Sequence, residues 1–510
     1  MLWQCSQRDI GQGGNLPCNF PQSLTHPGVF FDLWWRLTFE RPNMPHMQRL
    51  NAMAGFLPAG VVVTMIAYEY SGIQIFAVWS GAIALIAVAV FALSVSASRL
   101  AFIVIAMILS VWAILVRDDW WSGIATALQR GAMVMALFTA LTAIRNAAMS
   151  SAEIVETGRF LARQRPGLRY TALTIGGHLF GLIMVYGSIS LLGGLAAESA
   201  SQEPDPKIRR LRLRRMMVAI QRGFASTLCW SPLGFSMAIT LAIVPGASWG
   251  NVAIPCIISA LMMLVVGWGL DAMYKPVTRA APIQPTEADR WGRQLRPLLL
   301  LLAVIMLGVA LLHVVTGVEV IGAVMSLVPV VAFLWIGLQK PPAGQGRLAH
   351  VGHRALQFLT RELPAYRGEM LLLFMAGFIG AMGSFLLLPI IQKLGVDLTA
   401  IPPLVILVLL VWIIPITGQI GMNPILAVSL LVPLLPSPQM MEIHPAALVT
   451  AITGGWALSG ATSPFTASVL LSAALSGVST RQAGIGWNGT YTLVMGAILS
   501  LWVLLLAFIL

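Results

Sequence analysis

Two stretches, "AIQRGFASTLCWSPLGFSMAITLA" (219–242) and "AITGGWALSGATSPFTASVLLSAA" (451–474), set hydroxyl side chains around a Ser-Pro pair inside an apolar run. Hydroxyl and carbonyl oxygens are hard ligands that suit a small cation. A proline removes a backbone hydrogen bond and interrupts a helix, leaving a half-helix N-terminus whose positive end suits an anion. Ser226, Thr227 and Ser231 in the first stretch, and Ser459, Thr462 and Ser463 in the second, are therefore candidate cation ligands. Gln419 and Asn423, in "PITGQIGMNP" (415–424), would add side-chain oxygens. A hydroxyl of this kind, taken alone, is more often a packing group bonded to the preceding helical turn.

Candidate substrate ligands follow from charge. Arg145, followed by Asn146, closes one apolar run, and Arg222 lies seven residues past Arg215 within another. A guanidinium pairs well with carboxylate, phosphate or sulfonate; both arginines are also placed to snorkel to headgroups. His178 lies in "TIGGHLFG" and could bind substrate, titrate near neutral pH or simply hydrogen-bond. Thr453 and Thr466 complete the candidate set. Glu69, Asp118, Asp119, Asp271, Glu319 and Glu442 all fall at the ends of apolar runs, which disfavours a buried carboxylate as proton carrier. Sodium is the expected coupling ion, and no other cofactor is expected.

These residues need a membrane to be positioned in. The 510 residues are 58% hydrophobic and 10% charged, with a mean hydropathy of +0.84, which no water-facing surface tolerates. Apolar runs fall near 51–69, 73–95, 100–116, 122–148, 170–195, 215–245, 251–271, 297–315, 319–338, 368–392, 401–435, 443–475 and 484–510. The net charge of +12 reflects short basic loops that set topology, not nucleic-acid binding. Cys5, Cys18, Cys229 and Cys256 have no metal or redox spacing. Residues 1–50 are expected to be a cytoplasmic or interfacial segment, with 30–39 either a surface helix or a linker. Residues 51–72 are expected to be an extra first transmembrane helix.

The basic loops fix direction. Loops 149–169, 196–215, 272–296 and 339–367 hold four, six, five and five Lys or Arg, whereas the loops around 70, 117, 247, 317, 393 and 440 offer only Arg117 and Lys393. The first group is expected in the cytoplasm. Since 149–169 and 196–215 flank one run, 170–195 should enter and leave on the same face as a re-entrant hairpin. The weakly charged flanks of 401–435 give a second hairpin, entering from outside. The expected fold is an all-α polytopic membrane protein of about eleven transmembrane helices plus two hairpins, N-terminus inside and C-terminus outside.

The two Ser-Pro stretches align without a gap at an offset of 232 residues, with eight identities. "RGAMVMALF" (130–138) and "RGEMLLLFM" (367–375) echo each other at an offset of 237. The charge pattern runs the paired segments in opposite directions. Two inverted-topology repeats result, 73–271 with hairpin 170–195 and broken helix 215–245, and 297–510 with hairpin 401–435 and broken helix 443–475, joined by a linker at 272–296. That arrangement is typical of secondary transporters.

With its broken helices "CWSPLGFS" and "ATSPFTAS" and hairpins "GGHLFG" and "TGQIGMNP", the chain resembles the ion transporter superfamily, which includes divalent-anion/sodium symporters and TRAP-type large membrane subunits. The Ser-Asn-Thr motifs of the divalent-anion symporters are replaced here. The resemblance implies sodium-coupled uptake of a small organic anion by an elevator motion, with homodimer contacts through scaffold spans 73–116, 251–271, 297–338 and 484–510, in a bacterial inner membrane. A proton-coupled transporter or cation/proton antiporter is the alternative within that class. A membrane enzyme or a channel is the alternative outside it. The sequence has no Gly-x-Ser-x-Gly, nucleotide loop or His/Asp/Glu metal spacing. The sequon "WNGT" (487–490) falls on the expected cytoplasmic side.

Overall fold

The computed structural model describes residues 53–95, 97–274, 291–339, 341, 346–393 and 401–510. The expected N-terminal segment with its surface helix, and most of the linker 272–296, lie outside the described residues. Among the described residues every regular element is helical.

The chain runs through α1 (Phe56–Ser71), α2 (Gln74–Ala92), α3 (Ala97–Val116), α4 (Trp120–Met149) and α5 (Ala152–Ala162). Next come α6 (Pro166–Met184), α7 (Gly187–Ser201), α8 (Pro206–Thr227), α9 (Phe235–Ile243) and α10 (Trp249–Met273). Beyond the linker lie α11 (Trp291–Thr316), α12 (Val320–Leu338), α13 (Arg347–Gln357) and α14 (Arg367–Lys393). The last group is α15 (Pro403–Gln419), α16 (Pro424–Leu431), α17 (Pro445–Thr462), α18 (Ala467–Ser476) and α19 (Trp487–Ile509). Nine of the described helical runs are long and apolar enough to cross a membrane. The first, α1, has only 16 residues.

Several helix starts share one device, an acceptor side chain followed by proline at the first helical position. Asp205 accepts from Lys207 N (2.7 Å), Asn423 from Ile425 N (3.0 Å) and His444 from Ala446 N (3.2 Å). Pro206, Pro424 and Pro445 give up an N–H that the first turn could not have used. Burial separates the helices into central and peripheral sets. The spanning window of α4 is 78% buried and that of α3 only 11%. The faces of α3 that carry Met107, Ile108, Val111 and Leu115 are exposed and wholly apolar, as contact with lipid requires. The chain is an integral membrane protein.

The long helices α4 and α14 pack along each other, and α4 also carries α12. α8 packs on α6 and α7, while α17 packs on α15. The expected scaffold falls into two parts. α10 and α19 lie directly against α17, whereas α2 and α3 lie against α4 and α14 respectively.

Close approach on both broken helices depends on glycine. A Cβ on Gly223 (α8) would collide with the carbonyl of Thr174 in α6, and one on Gly177 would lie 2.5 Å from Ile220 O. The residue 232 positions on, Gly455 (α17), faces α15 in the same way, 2.6 Å from Leu410 O.

Candidate functional site

Each Ser-Pro pair opens a gap between two half-helices. In the first, Pro232 has no N–H for the carbonyl of Leu228. The hydroxyl of Ser236 donates to that carbonyl instead. In the second, Pro464 orphans the carbonyl of Gly460, and Ser468 Oγ donates to it. The rest of the two gaps matches at the same offset. Ser231 N donates to Thr227 O (3.0 Å) and Ser463 N to Ser459 O (2.8 Å). Leu233 N donates to Ser231 Oγ (3.2 Å) and Phe465 N to Ser463 Oγ (3.3 Å). Thr240 Oγ1 donates to Ser236 O (2.6 Å) and Ser472 Oγ to Ser468 O (2.8 Å). The gaps meet: a Cβ on Gly460 would lie 2.8 Å from Leu228 Cδ1, so the two proline-orphaned positions touch. Because serine occupies each orphaned carbonyl, that oxygen is not a free cation ligand.

The side chains around the two gaps differ. At the second, Ser463 Oγ donates to Gly418 O of α15 (2.7 Å). Ser459 Oγ lies over the same glycine, 2.5 Å from where a Cβ would stand, and is buried with no hydrogen-bond partner. Ser459, Ser463 and the end of α15 are thus brought together. Thr462 back-bonds to Leu458 O (2.7 Å) and Thr466 to Ser463 O (2.8 Å). Gln419 is half-buried, its amide nitrogen on Pro415 O (3.4 Å). Asn423 is an exposed helix cap. Thr453 lies buried against Cys256 of α10, 3.9 Å from its sulfur and away from the gap.

At the first gap the polar groups are consumed. Ser226 Oγ donates to Gly223 O (2.7 Å), so His178 must offer it an Nδ1–H, at 2.7 Å. His178 Nε2 is then free to accept from Trp230 Nε1 (3.4 Å), and the two rings stack at 14°. One neutral tautomer satisfies both contacts. Thr227 Oγ1 donates to Phe224 O (2.7 Å) and turns its methyl group to Gly181. α6 and α7 are separated by only Val185 and Tyr186, with Val185 at φ 50°, a strained value for a β-branched residue.

Arg145 sits beside that turn. Its Nε is 3.1 Å from where a Cβ on Gly187 would stand, and its guanidinium lies 5.1 Å from the Tyr366 ring centroid. It makes no hydrogen bond among the described residues. An aromatic row links it to the first gap, since Tyr366 meets Phe138 (5.7 Å) and Phe138 meets Phe235, the first residue of α9 (5.2 Å). Beside it stands Glu369, in the first turn of α14, with Oε2 buried and unpartnered. The charges acting on Glu369 are those of Arg99, Arg145 and Arg367. Glu369 is the carboxylate that the sequence reading omitted. Its signal was an acidic residue one position inside the run 368–392. Asn146 is drawn away, its Oδ1 accepting from Arg354 (2.7 Å).

Arg222 is fully engaged elsewhere. Only 7% exposed, it donates to Asn488 Oδ1 (2.9 Å), Tyr170 OH (3.2 Å) and Gly267 O (3.3 Å), and lies 4.4 Å from the Tyr491 ring centroid. Asn488 Nδ2 (3.2 Å) and Gln221 Nε2 (3.1 Å) both donate to Ala461 O. The first broken helix therefore caps the second, with Arg222 bracing the cap. Asn488 of the sequon is buried.

No protein-family model matches the chain, and no curated protein matches it. Among solved structures it is similar to the Alcanivorax borkumensis YdaH transporter, described as having an unusual topology, at a TM-score of 0.53 and 15% identity over 81% of this chain and 99% of that one. A Neisseria gonorrhoeae protein, MtrF, described as illuminating a class of antimetabolite efflux pumps, aligns at a TM-score of 0.48 and 13% identity over 82% of this chain and 96% of that one. Over four fifths of its length, this chain is folded like the membrane transporter of A. borkumensis.

Proposed function

We propose that the chain is a secondary active transporter that carries a small organic anion, coupled to sodium, by alternating access. The observation that carries this reading is the pair of proline gaps, closed by the same hydrogen bonds and touching at Leu228 and Gly460. Interrupted helices meeting inside a membrane protein are tolerated where they line a site. The two halves are taken as inverted repeats of the ion transporter superfamily type, moving in elevator fashion within a homodimer of the inner membrane. Sodium is assigned to the second gap, where Ser459 Oγ has no partner and Ser463 Oγ and Gly418 O lie beside it. The anion's charge is assigned to Arg145, whose guanidinium has no hydrogen bond among the described residues.

The test is a thermal-shift screen of dicarboxylates, aromatic carboxylates and sulfonates with and without sodium, followed by uptake of the hit into proteoliposomes. Saturable, sodium-dependent uptake that is lost in Ser459→Ala and Arg145→Gln is expected. Unsaturable current, or uptake indifferent to sodium and to both substitutions, rejects the reading.

Glu369 favours proton coupling as a second reading, because its buried Oε2 has no hydrogen bond beside Arg145. In that case a pH gradient alone drives uptake, and Glu369→Gln abolishes it while leaving any sodium response intact.

A further inference from the structure

Arg169 of α6 and Arg212 and Arg215 of α8 lie near one another, and only Arg215 is hydrogen-bonded to a carboxylate. Arg215 makes two hydrogen bonds to Asp271, at 3.0 and 2.6 Å. Arg169 is 6% exposed; its Nε donates to Gln164 O (2.8 Å), while its Nη2 is buried with no partner. Arg212 donates from Nη2 to Ser199 Oγ (3.0 Å), and its Nε is likewise buried and unpartnered. Arg212 Nη1 forms an ion pair with Glu203 at 3.9 Å, too long for a hydrogen bond, and Nε is left unfilled. Burial first, then the charges of Arg212 and Arg215, bring the Arg169 pKa down to about 10. The group remains a cation at neutral pH.

A buried guanidinium N–H without an acceptor is costly. Snorkelling does not account for it, because a snorkelling arginine ends in water and Arg169 does not. Two unfilled donors on arginines near enough for their charges to act on each other suit the oxygens of a tetrahedral anion. The arginines sit where the runs 170–195 and 215–245 begin, at headgroup depth if both basic loops lie on one face.

We propose that Arg169 and Arg212 form a phosphate site between α6, α7 and α8, filled by an anionic phospholipid headgroup or by free phosphate.

The test uses the full-length chain in detergent. Cardiolipin, phosphatidylglycerol and phosphatidylcholine are titrated by native mass spectrometry, and inorganic phosphate against chloride by thermal shift. Retention of the two anionic lipids over phosphatidylcholine identifies a headgroup as occupant; stabilisation by phosphate alone identifies the free ion. In either case Arg169→Gln and Arg212→Gln should each weaken the response about fivefold. Arg209→Gln, which removes an exposed arginine bonded to Glu203 O and Pro204 O, should leave it unchanged. If Arg169→Gln fails to fold, Arg212→Gln and the fork-removing Arg212→Lys carry the test. No preference for anionic lipid and no response to phosphate overturns the site. So does a response that survives both Gln substitutions, or one that Arg209→Gln reduces equally.

Discussion

The two proline gaps share a backbone solution and differ in what surrounds it. Each proline orphans one carbonyl, and a serine four residues later fills it. Around the first gap, His178, Ser226 and Trp230 form a closed chain of hydrogen bonds. Around the second, Ser459 is left without a partner, while Gln221 and Asn488 reach in to cap α17. Proline and serine rebuild the same interruption in both halves; side chains then use up the hydroxyl of Ser226 at one and leave that of Ser459 without a partner at the other.

The largest expected effect breaks the packing on which both gaps depend. Gly223→Ala drives a methyl group into the Thr174 carbonyl and should cost about 3 kcal/mol, the upper end for overpacking. Gly194→Ala, with nothing within 4 Å of the added carbon, should be close to neutral in the same thermal melt. The next effect tests the shared backbone device. Ser236→Ala and Ser468→Ala each strand a buried carbonyl and should each cost about 1–3 kcal/mol. If one is costly and the other silent, the gaps are not equivalent.

The difference between the gaps should appear in another serine pair. Ser226→Ala leaves His178 Nδ1–H without its acceptor and should cost about 1–3 kcal/mol in a chemical or thermal melt. Ser459→Ala loses no hydrogen bond and should change stability without sodium by no more than about 0.5 kcal/mol. Its expected effect is loss of any stabilisation by sodium. Equal basal costs for the two substitutions would remove the distinction between the two gaps.

Much of this architecture was legible because its causes are local. Apolar runs of spanning length and a proline's missing N–H do not depend on the rest of the fold, so the gaps near Pro232 and Pro464 could be read directly. The fate of individual polar atoms depends on distant residues. Arg222 reads as a substrate ligand until Asn488 and Gly267 supply its acceptors. Asn423 reads as a cation ligand until helix α16 claims its oxygen. The reading that proline frees a carbonyl for a cation overlooked Ser236 and Ser468, although both stood in the alignment. Glu369 stands one step inside the run 368–392, where sequence alone does not tell a buried carboxylate from a terminal one. Its unpartnered Oε2 follows from tertiary packing.

Opposed half-proteins are the premise for placing both gaps at the centre of the bilayer, and sidedness of labelling tests it most directly. In a chain with its native cysteines replaced, single cysteines would be introduced at the exposed positions Arg163, Arg210 and Met440 and challenged with an impermeant maleimide in sealed, oriented vesicles. The account predicts that Arg163→Cys and Arg210→Cys react from the cytoplasmic side and Met440→Cys from the other. Reaction of Arg163→Cys and Arg210→Cys from opposite sides would make α6 and α7 a through-going span and contradict the mirrored arrangement.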